Sequence, residues 1–234
     1  MTSHRNMSRI DHLVWGVRDL DEGVDTLTTL TGRTPVMGGA HPGNGTRNAL
    51  LPPGHRCYFE VLAPDPAQDV VNTRGAGLLS FTHPRLLTFA VACDDIEASA
   101  ARIAASGLPA PQIAAMSRTQ PDGEVLRWRL AHLTGHTFGG LAPFLIDWGD
   151  TPHPSRLGPA GCSLSRLVLR HPDHERLATL LAALALDDTI PVDCEPGSAA
   201  LVADLLTPQG PISLTSTSEP PPSEFFVRGR VQSQ

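Results

Sequence analysis

Lysine is missing altogether: all 18 basic residues of this 234-residue chain are arginine. Compositional bias of the coding DNA is the simplest reason, and the chemical consequence holds whatever the reason. Without a lysine amine there is no Schiff-base chemistry, no pyridoxal attachment, no lysine general base and no phosphate-loop lysine. Cysteine is scarce. Cys57, Cys93, Cys162 and Cys194 stand far apart with no C-x-x-C pair, so they read as buried thiols of a reducing compartment, not as a disulfide framework or zinc knot. No apolar run reaches transmembrane length, and the polar start MTSHRNMSR lacks the pattern of a signal peptide, so a cytoplasmic protein with a frayed start and no membrane partner is expected. A formal charge of −6 and a pI near 5.9 argue against a sequence-independent grip on nucleic acid. There is no G-x-S-x-G. Gly38-Gly39 and Gly43-x-Gly45 precede a strand pattern and no lysine follows them, so no nucleotide cofactor is expected.

What is present is a hydrophobic content of 41%, enough for a sizeable core, and a pattern that recurs. Residues 10–17 form an apolar strand. A helix follows, with Asp19 or Asp21 as its cap, Leu20, Val24, Leu27 and Leu30 as its stripe and Gly32 as its stop. Strands are then expected at 36–39, 46–51 and 56–62, separated by the turns PGNG and PPG. The same order returns as a strand at 86–95, a helix at 96–106 and strands at 113–119, 125–133 and 141–148, and more weakly from 164 to 215. The expected organisation is a βαβββ module at 8–63, a linker at 64–85, a second module at 86–154, a weaker third at 160–216 and an extended tail at 217–234. Such units each leave a sheet face uncovered and need one another, so the expected fold is α+β, with curved mixed sheets forming a cup and helices outside.

Ionisable residues interrupt the apolar strands. His12 alternates with Ile10 and Val14, and Glu60 with Tyr58 and Leu62, places where such a group is costly unless paired or ligating. Glu60 is a candidate general base, since burial would raise its pKa towards working pH. His41 opens a loop at the rim, where it can polarise a substrate or simply bond the loop backbone. Arg47 and Asn48 begin the next strand, and an arginine there can clamp a carboxylate or phosphate or pair internally with Glu60 or Asp147. Arg118 and Trp128 hold the corresponding places in the second module as substrate-binding candidates, with Trp128 as core or cup lining. His153 lies in a Pro-bounded turn. His132, His136, His171 and His174 read as solvent histidines.

The segments DHLVWGVRDLDEG, GGAHPGNGTRNAL, YFEVLAPD, SRTQPDGEVLRWRL and FLIDWGDTPHP together resemble the glyoxalase-like domain proteins of the vicinal oxygen chelate superfamily, over about residues 10–154. The resemblance implies a cup with a site between modules, and a divalent metal (Zn, Ni, Mn or Fe) held by residues of the first and last strands. Carried over by position, His12 and Glu60 are ligands, Asp147 stands opposite Glu60, and Thr88, a poor ligand, stands opposite His12. It further implies a small-molecule enzyme of glyoxalase or dioxygenase type in which His41 and Arg47 orient the substrate. A metal-free binding or sequestering protein of bleomycin-resistance type is the alternative, and a homodimer is among the expected assemblies.

Overall fold

Twelve strands and four helices are found among the described residues, which are 7–51, 57–119, 123, 125–154 and 161–216 of the computed structural model. The expected PPG turn, most of QPDG and the tail 217–234 lie outside them. The chain runs β1 (Arg9–Gly16), α1 (Leu20–Thr31), β2 (Val36–His41), β3 (Thr46–Leu51), β4 (Tyr58–Pro64), α2 (Arg74–Leu79), β5 (Arg85–Ala92), α3 (Ile96–Ala105), β6 (Ile113–Thr119), β7 (Val125–His132) and β8 (Phe144–Asp147). Then follow β9 (Ser163–Arg170), α4 (His174–Ala183), β10 (Val192–Glu195), β11 (Ala200–Thr207) and β12 (Gly210–Thr215). Helix starts follow local chemistry. The Asp19 carboxylate accepts from the amides of Asp21 and Glu22 at 2.9 and 3.1 Å, Asp95 does the same for Ala98 at 2.8 Å, and α1 stops at Gly32 in the left-handed region.

The first eight strands form one mixed sheet in the order β2-β3-β4-β1-β5-β8-β7-β6. Each half repeats one rule: its first strand pairs parallel with its last (β1 with β4, β5 with β8), and the halves join through the antiparallel pair β1–β5. The two edge strands, β2 and β6, come into contact, so the sheet curves into a nearly closed cup. The last four strands keep the β-α-β-β-β order of elements but pair differently, as β10-β9-β11-β12, with β9 parallel to the strand that directly follows its helix. This small sheet adds no wall to the cup.

Strand alternation divides the apolar residues between two clusters. Leu13, Trp15, Phe59, Val61, Phe89 and Leu145 point outward and are covered by α1, α3, α4 and the small sheet. Val14, Leu62, Ala90, Leu130, Phe144 and Ile146 point inward. The segment expected as a linker carries the six-residue α2, and Leu78 and Phe81 from it join the inner cluster. No helix among the described residues is long and apolar enough to cross a membrane.

Candidate functional site

The inner face of the cup bounds a cleft of about 740 Å³, mouth included. Its polar end is built by the first half of the sheet. A bulge in β1 begins the construction: Ile10 lies opposite Val91 and His12 opposite Ala90, leaving Asp11 as the extra residue. The bulge breaks the expected alternation. Ile10 joins the outer core, while His12 shares the inner face with Val14. Asp11 is fully buried and accepts three hydrogen bonds, from His12 Nδ1 (2.6 Å), His153 Nε2 (2.8 Å) and Trp148 Nε1 (3.0 Å). Burial alone would raise its pKa, but bonds to the two histidines outweigh this and hold it far below the carboxylate range. Asp11 therefore pins Nδ1 of His12 and leaves Nε2 directed at Glu60, 3.7 Å from Oε2. Tyr58 stacks on the same ring at 4.5 Å.

Asn48 is the hub of the second layer of contacts. Its amide nitrogen donates to Glu60 Oε1 at 2.6 Å and lies 3.2 Å from His41 Nε2, while its carbonyl accepts from Arg118 Nη1 at 3.1 Å. Because the amide nitrogen is a donor, His41 Nε2 acts as the acceptor, and His41 Nδ1 donates to Thr46 Oγ1 at 3.0 Å. Burial holds the His41 pKa below its ordinary value, in keeping with this neutral tautomer. The expected rise in the Glu60 pKa is overturned. Burial does push it up, but His41, His12, the Asn48 hydrogen bond and Arg118 pull it down further, so the group is an ionised carboxylate. Arg118, on the opposite edge strand, is 5% exposed and reaches across the cup to Asn48. Gly38 makes this crossing possible: a Cβ there would overlap Asn48 Oδ1 and sit 2.8 Å from Arg118 Nη1.

Two expected residues stand elsewhere. Arg47 alternates with Ala49 and Leu51, opposite Ala63, so it lies on the outer side of β3 and away from the cleft. Asp147 follows the inward Ile146 and is also outside the cleft, where it accepts from Arg129 and from the Gly149 amide. The sheet register explains the second displacement. Val14 lies opposite Glu60 in the first half; its equivalent Ala90 lies opposite Phe144 in the second. The counterparts of His12 and Glu60 are thus Thr88, whose hydroxyl faces Ala142 O at 3.5 Å, and Phe144. The expected set of His12, Glu60 and Asp147 does not fit a metal ion, and no group of three or more His, Cys, Asp or Glu among the described residues is arranged to hold one.

Three residues at the site had no assigned role in the sequence. Asp11 adjoins His12, yet only the bulge turns it to the same side. Arg74 comes from α2 and lines the cleft, its pKa pushed down to about 10 by burial. His132 is not a solvent histidine: Arg74 Nη2 lies 2.8 Å from its Nε2, and burial, followed by Arg74, drives its pKa well down. Trp128 lies on the cleft wall beside Trp148, with ring centroids 5.4 Å apart.

The family model described as "Glyoxalase-like domain" matches residues 10–185. Among solved structures, a hypothetical protein from Staphylococcus aureus is 15% identical with a TM-score of 0.62, covering 89% of this chain and 85% of its own. A triple mutant of 4-hydroxymandelate synthase from Streptomyces coelicolor is 18% identical with a TM-score of 0.52, covering 90% and 63%. Methylmalonyl-CoA epimerase in complex with methylmalonyl-CoA is 21% identical with a TM-score of 0.45, covering 63% and 99%. No functionally curated protein matches the chain. The repeated half-sheets, the cup and the match over three quarters of its length place this chain in the glyoxalase-like domain family of the vicinal oxygen chelate superfamily.

Proposed function

We propose that the protein is an acid–base enzyme that removes a proton from carbon next to a carbonyl in a small organic substrate, by isomerase or lyase chemistry. One observation carries the reading: Glu60, an ionised carboxylate only 12% exposed, sits between two histidines at the polar end of an otherwise apolar cup. An anion so placed is costly unless it is used or fully paired. In this reading a Glu60 oxygen takes the proton, the C–H electron pair moves into the carbonyl to give an enolate, and His12 as an imidazolium, its Nδ1–H held by Asp11, donates from Nε2–H to the enolate oxygen. Asn48 holds Glu60 in place and His41 completes the rim. Returning the proton to another carbon gives isomerisation; loss of a leaving group gives elimination. No step passes through a metal, because the donor set expected for one is divided between the two faces of the sheet.

The test is carbon–hydrogen exchange in D₂O, followed by proton NMR, over a panel of small aldehydes and 2-oxo acids. Wild-type protein should accelerate exchange of at least one compound, and Glu60→Gln should slow it by about 10²–10⁴-fold. Exchange unchanged in Glu60→Gln sinks the reading. Titration with Zn²⁺, Ni²⁺, Mn²⁺ and Fe²⁺ runs alongside, and the expected result is exchange that is indifferent to metal and to EDTA. A second reading, capture of an organic ligand without turnover, is favoured by the blank second half at Thr88 and Phe144. It predicts stoichiometric binding with no exchange under any condition.

A further inference from the structure

Arg118 is a buried cation whose charge no carboxylate of the described residues meets in a salt bridge. Its one hydrogen bond there goes to the neutral Asn48 carbonyl, and its Nε has no partner among the described residues. A guanidinium presents a planar fork of donors matched to a carboxylate, and leaving part of it unsatisfied in a buried place is costly. Arg74 lines the same cleft, and Glu60 is the only carboxylate that does so among the described residues. The wall facing these groups is apolar and aromatic: Met116, Trp128, Leu130, Phe144 and Trp148. The cleft thus has a cationic end and a flat hydrophobic end, joined at Glu60.

We infer that Arg118 is a substrate-anchoring residue and that the natural substrate is a monocarboxylate with an apolar body of aromatic size. This rests on the acid–base reading above and narrows it to a substrate class. A neutral substrate leaves Arg118 unmet, while a second negative charge near the polar end is repelled by Glu60, so a single carboxylate suits the site best. The aromatic wall sets the other half of the preference, because Trp128 and Trp148 offer faces for stacking. Asn48 couples the two events, since the amide that receives Arg118 also holds Glu60.

The experiment compares 2-naphthoate with the uncharged 2-naphthamide as probes, by isothermal titration on the full-length protein. Wild type should prefer the acid by at least about ten-fold. Arg118→Gln should remove that preference while leaving amide affinity within about two-fold, which also reports that the cup is intact. Glu60→Gln should strengthen the acid preference, because it removes the one carboxylate that lines the cleft among the described residues. Equal affinity for acid and amide in wild type, no binding of either probe, or a preference that survives in Arg118→Gln overturns the inference. Should Arg118→Gln lose amide binding as well, Arg118→Lys decides: a preference kept with the charge supports the anchor, and a preference lost overturns it. Binding and exchange are separate readouts. An acid preference governed by Arg118 without any proton exchange leaves the anchor standing and removes the base; exchange without acid preference does the reverse.

Discussion

Asp11 has its carboxylate satisfied by three donors in a place with no solvent, and that arrangement sets how His12 is presented. Replacing it by asparagine keeps the volume but puts an amide where only an acceptor serves His12, His153 and Trp148. We expect Asp11→Asn to lower stability by about 1–3 kcal/mol through unsatisfied donors. Exchange activity should fall by about 10- to 100-fold, the usual cost of losing an orienting partner behind a working side chain. The check is a denaturant midpoint together with a pH–rate profile; a profile identical in shape to wild type would leave Asp11 a purely structural role. His12 and Glu60 were legible in the sequence because polar groups in apolar strands need a reason to be there, His41 because it opens a loop at the rim, and Asn48 because it begins the strand that follows that loop. Asp11 was not, since strict alternation sends it outward and a one-residue bulge reverses that. The same parity argument separates Asn48 from Arg47: adjacent positions take opposite faces, and the Gly-rich turn before them hides which is which.

At the scale of elements, β2 and β3 do more than close an edge. The PGNG turn between them receives both ends of the segment that joins β4 to α2: the Asp65 amide, just past β4, donates to Gly45 O (2.9 Å) and the Gly75 amide, in the first turn of α2, to Asn44 O (3.2 Å), and this seats Arg74 over the cleft. On β2 itself, Gly38 leaves room for the Asn48–Arg118 bond that spans the cup. Gly38→Ala should therefore weaken 2-naphthoate binding about ten-fold or more while costing about 1–3 kcal/mol in stability, the range for an added methyl in a packed place. Calorimetry beside a thermal melt checks both numbers; unchanged acid affinity would show that the crossing bond does not matter. The strands themselves were largely readable from alternation and turn residues. β8 is shorter than the expected 141–148 because a 3₁₀ turn at Gly139–Leu141 and then Pro143 delay it. The third unit shows the limit of such reading. Its order of elements repeats the pattern, but order does not encode pairing, and β9 takes β10 and β11 as neighbours where β1 takes β4 and β5.

The described residues include several half-buried histidines whose pKa values are shifted one way. Burial lowers His41, His132 and His136 below the ordinary 6.5, with Arg74 adding to the effect at His132 and a backbone bond opposing it at His136. A histidine whose folded pKa lies below its unfolded one binds fewer protons folded than unfolded between the two values. Stability therefore rises with pH across that window: it is fully present above about 6.5 and is lost as pH falls towards the folded values. Glu60 and Asp11, also lowered, add the same sign at more acid pH, below their ordinary 4.5 and 3.8. The protein should thus begin to lose stability well above the pH at which carboxylates normally titrate. Urea midpoints measured from pH 8 to pH 5 should fall monotonically, with m unchanged. His132→Gln offers a neutral acceptor to Arg74 and should flatten the upper part of that fall, because it deletes an imidazole whose pKa is driven down by burial without deleting its hydrogen bond. A midpoint constant between pH 7 and pH 5 in wild type, or a slope untouched in His132→Gln, would mean that these imidazoles reach solvent and that the floor of the cup is wetter than its packing implies.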